Sequence, residues 1–164
     1  MHLLILAACS LMLACAPAAA ADPRVDPKGV WLVEDKMGQI QTDICAGALW
    51  GVVVWERTPG RDDNNPDPAL RGRPTLGIPI LLGMRPDGAP DGARTVWRGR
   101  IYNAMNGSIY EGDVKAVSPT VLHVEGCVLG GLFCGGQDWV RVKAPAAPPI
   151  DVCSRISNLA RGAH

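Results

Sequence analysis

Residues 29–57, GVWLVEDKMGQIQTDICAGALWGVVVWER, decide the reading of this chain. Residues 29–35 are apolar and β-branched, and Lys36-Met37-Gly38 is turn chemistry. Residues 39–45 then set Ile40, Thr42 and Ile44 against polar neighbours. Alternation with period two is the pattern of a half-buried strand, so the two runs predict an antiparallel hairpin. Residues 49–57 form a third strand, apolar enough to be covered on much of both faces.

Downstream, the same texture repeats. Strands are predicted at 75–83, 94–102, 108–116, 120–125 and 137–143, with turns at 86–93, Asn106-Gly107 and Ser118-Pro119. Pro79 inside the 75–83 run argues for an edge, a bulge or an irregular stretch. Short strands with turns every 8–12 residues predict an all-β fold, a sandwich or a closed barrel. A small antiparallel β-barrel is favoured, because closure removes exposed strand edges. Residues 144–150 are Ala/Pro-rich and extended, and 151–162 form a short C-terminal tail or helix. Alternating βα units and a glycine-rich nucleotide loop are both missing, which disfavours Rossmann and P-loop folds.

The first residues read as an export signal. Leu3–Ala16 carry no charge, and Ala18-x-Ala20 and Ala19-x-Ala21 suit peptidase cleavage after Ala20 or Ala21. Residues 1–21 are therefore assigned as a signal peptide and 22–164 as a single domain, with the periplasm as destination. The apolar run is short for a membrane span, which needs about 20 residues. Cys9 and Cys15 leave a lipid-anchored form as the alternative. The 16 basic and 16 acidic residues cancel. With no basic stripe, nucleic acid and acidic membrane surfaces are poor partners.

Four cysteines remain after the signal: Cys45, Cys127, Cys134 and Cys153. An even number in an exported chain points to disulfides, with three pairings open. Cys127 and Cys134 flank a Gly-rich stretch and could close a hairpin. Cys45 and Cys153 would then pair by elimination. A zinc site from four thiolates is the competitor, but the spacing is unlike the usual C-x2-4-C. No cofactor or metal is expected.

The long polar stretch 58–74, TPGRDDNNPDPALRGRP, stands apart. Asp63-x-Asn65-x-Asp67 spaces oxygen ligands as a calcium loop does, but Pro68 and Pro74 stand where a glycine and an acid are needed. Asx-turns that order the loop are the simpler reading. Arg71 and Arg73, either side of Gly72, could present two guanidinium groups to a ligand or pair with the aspartates. Tyr102 and Tyr110 straddle the Asn106-Gly107 turn and could face one another, lining a pocket or stacking. Asp63, Asn65, Arg71, Arg73, Tyr102 and Tyr110 are accordingly the candidate ligand-binding residues. His123 reads as a strand histidine pointing away from Leu122 and Val124. The five tryptophans fall in predicted strands, as core or as the lining of a ligand space.

The order of several motifs resembles a family of exported bacterial proteins, domain of unknown function 2147. The matching pieces are Gly29-Val30-Trp31, Ile44-Cys45-Ala46-Gly47, the 63–74 stretch, Trp97–Asn103, Asn106–Tyr110, Gly126–Cys134 and Trp139–Val142. That family usually has a second cysteine in a Leu-Cys-Gly context. Leu49-Trp50-Gly51 stands there in this chain, which strengthens Cys153 as the partner of Cys45. The resemblance implies a calycin or lipocalin-like barrel. It further implies a structural pair, with Arg141 packed across Trp31 at the closed end, and ligand access from the opposite mouth. It implies no activity.

Three functions are weighed. The first is a periplasmic binding or carrier barrel for a small lipophilic or planar ligand, which requires a continuous apolar cavity. The second is an envelope protein meeting a protein partner through the 58–74 loop. The third is a hydrolase-like enzyme using Asp63, Arg71 and Arg73 with a tyrosine.

Overall fold

A computed structural model describes residues 25–87 and 96–161. The segment 1–21 expected to be a signal peptide, with Cys9 and Cys15, and residues 88–93 of the predicted turn lie outside the described residues. Eight antiparallel strands form a closed barrel in which each strand pairs with the next. They are β1 Gly29–Leu32, β2 Gly38–Cys45, β3 Ala48–Glu56, β4 Pro79–Asp87, β5 Val96–Asn103, β6 Ser108–Ser118, β7 Val121–Val128 and β8 Phe133–Arg141. β8 closes onto β1 through the pairs Trp31↔Arg141 and Leu32↔Val140.

Several boundaries differ from the sequence reading, each for a local reason. β1 ends at Leu32 because Val33 already accepts from the Lys36 N–H and Lys36 sits at positive φ, a turn geometry. The strand expected at 75–83 begins only at Pro79. A proline brings no N–H to a ladder and is tolerated as the first residue of a strand. No edge is involved, since the barrel is closed. β4 also continues through Pro86 and Asp87, which pair with Trp97 and Val96 where a turn was expected. The glycine-rich stretch around Cys127 and Cys134 is ladder up to the pair Val128↔Phe133. Strand pairing uses backbone groups, so glycines with little β propensity still take part once a neighbouring strand is in register.

Alternate residues point inward and fill the barrel's lower half. Leu49, Leu81, Met84, Val114 and Leu122 are all fully buried in this core. One end carries residues 25–28 and the 46–47 and 119–120 turns. The other carries the 33–37 and 104–107 turns, the 129–132 connection and the long loop from 57 to 78. After β8 the chain lies against β2. Its Ala146 and Ile150 N–H groups donate to the Gln39 and Gln41 side-chain oxygens at 3.1 and 2.9 Å. Both glutamines are buried, and the tail supplies the partners their amides need. A helix, α1 Val152–Arg161, follows. It is tied down by the Cys45–Cys153 disulfide and by the fully buried Val152. The second disulfide joins Cys127 to Cys134 across the β7–β8 hairpin.

Candidate ligand site at the barrel mouth

The two ends of the barrel are built differently. At the closed end Trp31 is fully buried, and the Arg141 guanidinium lies 4.1 Å from the centre of its ring. A planar cation on an indole face gains cation–π energy when shielded from water. Arg141 also donates to three carbonyl oxygens, those of Pro119, Lys28 and Asp26, each at 2.6 Å. The Trp31 indole N–H donates to Pro27 O at 3.1 Å and to Thr42 Oγ1 at 2.9 Å. Gly29 has φ of 138°, and a side chain there would overlap the Arg141 guanidinium. The Gly-x-Trp of β1 and the arginine of β8 thus form one plug.

The other end is open. A cavity of about 550 Å3 lies beneath the mouth loops. Its apolar walls include Val33, Ile80, Ile101, Val124 and Val128. Along β8 the lining residues Gly135, Gln137 and Trp139 share one face, with Trp139 deepest. Gly126 and Gly135 are directly paired across β7 and β8, and both border the space. A Cβ on Gly135 would meet nothing within 4 Å. At the rim, Leu129, Leu132, Phe133 and Met105 are well exposed, at 71, 76, 66 and 84%. That is a concentration of large apolar side chains at two neighbouring hairpin tips.

The polar 58–74 loop is organised around a residue that the sequence reading passed over. Asp62, not Asp63, is fully buried. Its carboxylate accepts from the Tyr102 hydroxyl, from Asn65 Nδ2 at 2.7 Å and from Arg73 Nε at 3.0 Å, with Arg73 Nη2 at 2.9 Å. Arg71 Nε donates to the Asn65 carbonyl at 2.8 Å. Asp67 caps the short turn at 68–70 by accepting from the Ala69 N–H. Asn64 Nδ2 donates to Met105 O at 2.8 Å, docking the loop on the β5–β6 hairpin. There Gly107, at φ of 72°, sits so close to Asn64 that any side chain would overlap its carbonyl.

Of the six candidate residues, the structure therefore brings Asn65, Arg73 and Tyr102 together around Asp62, with Arg71 one hydrogen bond away. Asp63 is exposed and outside the cluster. Tyr110 is elsewhere. It pairs with Ile101 and Tyr102 with Ile109, so the two phenols do not face each other across the hairpin. The Tyr110 oxygen instead accepts from Asn106 Nδ2 at 2.8 Å. Both tyrosines border the cavity. The arrangement proposed for a hydrolase, with Asp63 at its centre, is not formed.

Burial and the Asp62 carboxylate push the Tyr102 phenol up to about 12 from the usual 10.0. A raised folded-state value favours the neutral form in the folded chain. Its contribution is present below pH 10 and is lost as the pH climbs from 10 towards 12. The sequence contains two tyrosines, so Tyr110→Phe leaves Tyr102 alone. Its phenolate absorbance should appear with a midpoint near 12 in the folded variant, and near 10 in urea.

His123 Nδ1 lies 2.6 Å from Asp138 Oδ1 on the outer face, away from the cavity. Among the described residues, Glu125, Cys127 and Cys134 bring metal-ligating atoms together, but both sulfurs are already joined to each other.

An up-and-down eight-stranded barrel, plugged by an Arg–Trp stack at one end and hollow at the other, defines a lipocalin-like fold. The chain belongs to DUF2147, a family described as uncharacterized protein conserved in bacteria, whose profile matches residues 29–141. A solved structure with the same fold is protein HP1028 from the human pathogen Helicobacter pylori, reported to belong to the lipocalin family. The TM-score is 0.69 at 17% identity, over 82% of this chain and 99% of that one. A search of curated proteins finds no match. Two disulfides fit an extracytoplasmic, oxidising compartment. Among the described residues no helix is long and apolar enough to cross a membrane.

Proposed function

We propose that this is an exported, periplasmic binding or carrier protein that holds one small lipophilic or planar molecule in the mouth of its barrel. The observation that carries the reading is the contrast between the two ends. One end is sealed by Trp31 and Arg141, and the other holds an apolar-walled space of about 550 Å3. Small-molecule sites typically enclose about 300–1,000 Å3. The paired glycines at 126 and 135 keep this space open where other strand residues would fill it. Exposed Leu129, Leu132 and Phe133 give an apolar molecule a sheltered approach. The polar groups of the 58–74 loop are largely engaged with one another, so the loop serves as a brace for the mouth.

A plug tests this. Gly135→Phe should fit without backbone strain and occupy the cavity. Titration with the neutral fluorophore phenylnaphthylamine is expected to show saturable one-to-one binding to the wild type. The variant should weaken it by at least about tenfold, roughly 1.4 kcal/mol, with unfolding little changed. Equal binding to both proteins would place the probe outside the barrel and remove this reading.

A further inference from the structure

The outer face of the β7–β8 hairpin carries a row of metal-ligating side chains that neither the core nor the mouth uses. Val124, Gly126 and Val128 face the cavity, so His123, Glu125 and Cys127 alternate outward on β7. Their partners across the ladder are Asp138, Gly136 and Cys134. The Glu125 carboxylate and the two sulfurs offer ligand atoms within 4.8 Å of one another. His123 reaches along the same face. Its Nδ1 is held by Asp138 Oδ1 at 2.6 Å, and its Nε2 hangs over Gly136, where a Cβ would come within 2.7 Å of it. The same Cβ would lie 3.6 Å from Glu125 Cβ. The missing side chain at Gly136 thus leaves room between the imidazole and the Glu125–cysteine group.

Two further features point to a cation. A carboxylate on Nδ1 fixes the tautomer that leaves the Nε2 lone pair free, the arrangement commonly found behind a metal-bound histidine. Glu125 stands opposite Asp113 across β6 and β7, and Arg98 goes to Asp113, at 3.3 Å. Among the described residues no cation pairs with Glu125.

The two sulfurs are joined in the oxidised chain. The chain is made with free thiols, however, and Cys134 is exposed, so the bond is open to attack by an external thiolate. A dithiol reductant gives two electrons and two protons to the Cys127–Cys134 bond and leaves as its own disulfide. Zinc binding to the reduced pair then releases the two thiol protons.

We propose that, with Cys127 and Cys134 reduced, this face binds one zinc ion through both thiolates, the Glu125 carboxylate and His123 Nε2, with Asp138 holding the imidazole. Two thiolates, an imidazole and a carboxylate are all groups that zinc takes in four-coordinate sites. Metal and disulfide exclude one another, so the hairpin clasp is either oxidised or zinc-bound. The site stands outside the barrel and is independent of what the cavity holds.

Cobalt is the probe, because its tetrahedral thiolate complexes are coloured. The full-length chain, reduced with a phosphine and kept free of oxygen, is titrated with Co2+ and then with Zn2+. One equivalent of Co2+ should give sulfur-to-cobalt charge transfer and tetrahedral d–d bands, both abolished by Zn2+. The oxidised chain should give neither. Iodoacetamide labelling read by peptide mass should find Cys127 and Cys134 protected by zinc, and this needs no variant. His123→Ala and Glu125→Ala should each weaken Co2+ binding by at least about tenfold and alter the d–d bands, and Asp138→Asn should weaken it about tenfold with the bands kept. A reduced wild type without charge transfer, or with Cys127 and Cys134 fully labelled in the presence of zinc, overturns the proposal. Unchanged affinity and bands in His123→Ala or Glu125→Ala overturn the four-ligand assignment.

Discussion

Replacing Trp31 by alanine is expected to remove about 4–5 kcal/mol of folding stability, the upper range for loss of a buried tryptophan. The side chain is fully buried, and its removal would leave a void in the sealed end. It would also strip Arg141 of its aromatic face and leave Thr42 Oγ1 without the indole donor. Because Trp31 pairs with Arg141 across β1 and β8, the damage falls on the seam that closes the barrel. Small domains have about 5–15 kcal/mol in total, so the variant should be marginal at body temperature. Urea unfolding followed by near-ultraviolet dichroism measures the loss. Trp50→Ala serves as the comparison, since Trp50 is only half-buried. A cost for Trp31→Ala no greater than for Trp50→Ala would mean that the plug does not hold the barrel shut.

The second large effect concerns the two disulfides, which should not be equivalent. Cys45 and Cys153 lie 108 residues apart in sequence, and Cys127 and Cys134 only 7. In the chain-entropy account, a crosslink stabilises by limiting the unfolded ensemble, and more so for a longer loop. Serine substitution of the first pair should cost roughly 5 kcal/mol, and of the second roughly 2.5. The tail keeps its hydrogen bonds to Gln39 and Gln41 in the first variant, so α1 should stay close to the barrel while unfolding becomes easier. Comparison of denaturation midpoints for the two double variants measures the difference. Equal losses would show that native-state interactions, not unfolded-state entropy, set the value of these bonds.

Much of this architecture is legible in the sequence because it depends on period and spacing. The alternation in 39–45 survives as the inward Ile40 and Thr42, and the Asn106-Gly107 pair does turn the β5–β6 hairpin. Cys45 and Cys153 are joined as elimination suggests. The Gly-x-Trp on β1 meets the arginine on β8 as the family resemblance implies. Strand limits are less legible where composition and pairing disagree. Glycines around Cys127 and Cys134 look like loop, yet register with β6 and β7 draws them into the ladder.

The site was harder to read. Loop residues have no period to say which side chains turn inward, so Asp62 and Asp63 are indistinguishable until the loop's path over Tyr102 is known. The offset of one residue between Tyr102 and Tyr110 depends on hairpin register, which the turn dipeptide alone leaves open. Trp139 is one of five strand tryptophans that the sequence offers as core or as the lining of a ligand space, with nothing to single it out. The alternation of Gln137, Trp139 and Arg141 already puts the three on one face, and what it lacks is any sign of how far the space beside them extends.

The central claim is that the open end of the barrel holds a small molecule. Native mass spectrometry of the protein isolated from cells under non-denaturing conditions tests it most directly. The account predicts a mass excess corresponding to one small molecule per chain, removed by organic extraction and missing from Gly135→Phe. A wild-type chain that flies at its bare mass, and that takes up no phenylnaphthylamine on titration, would contradict it.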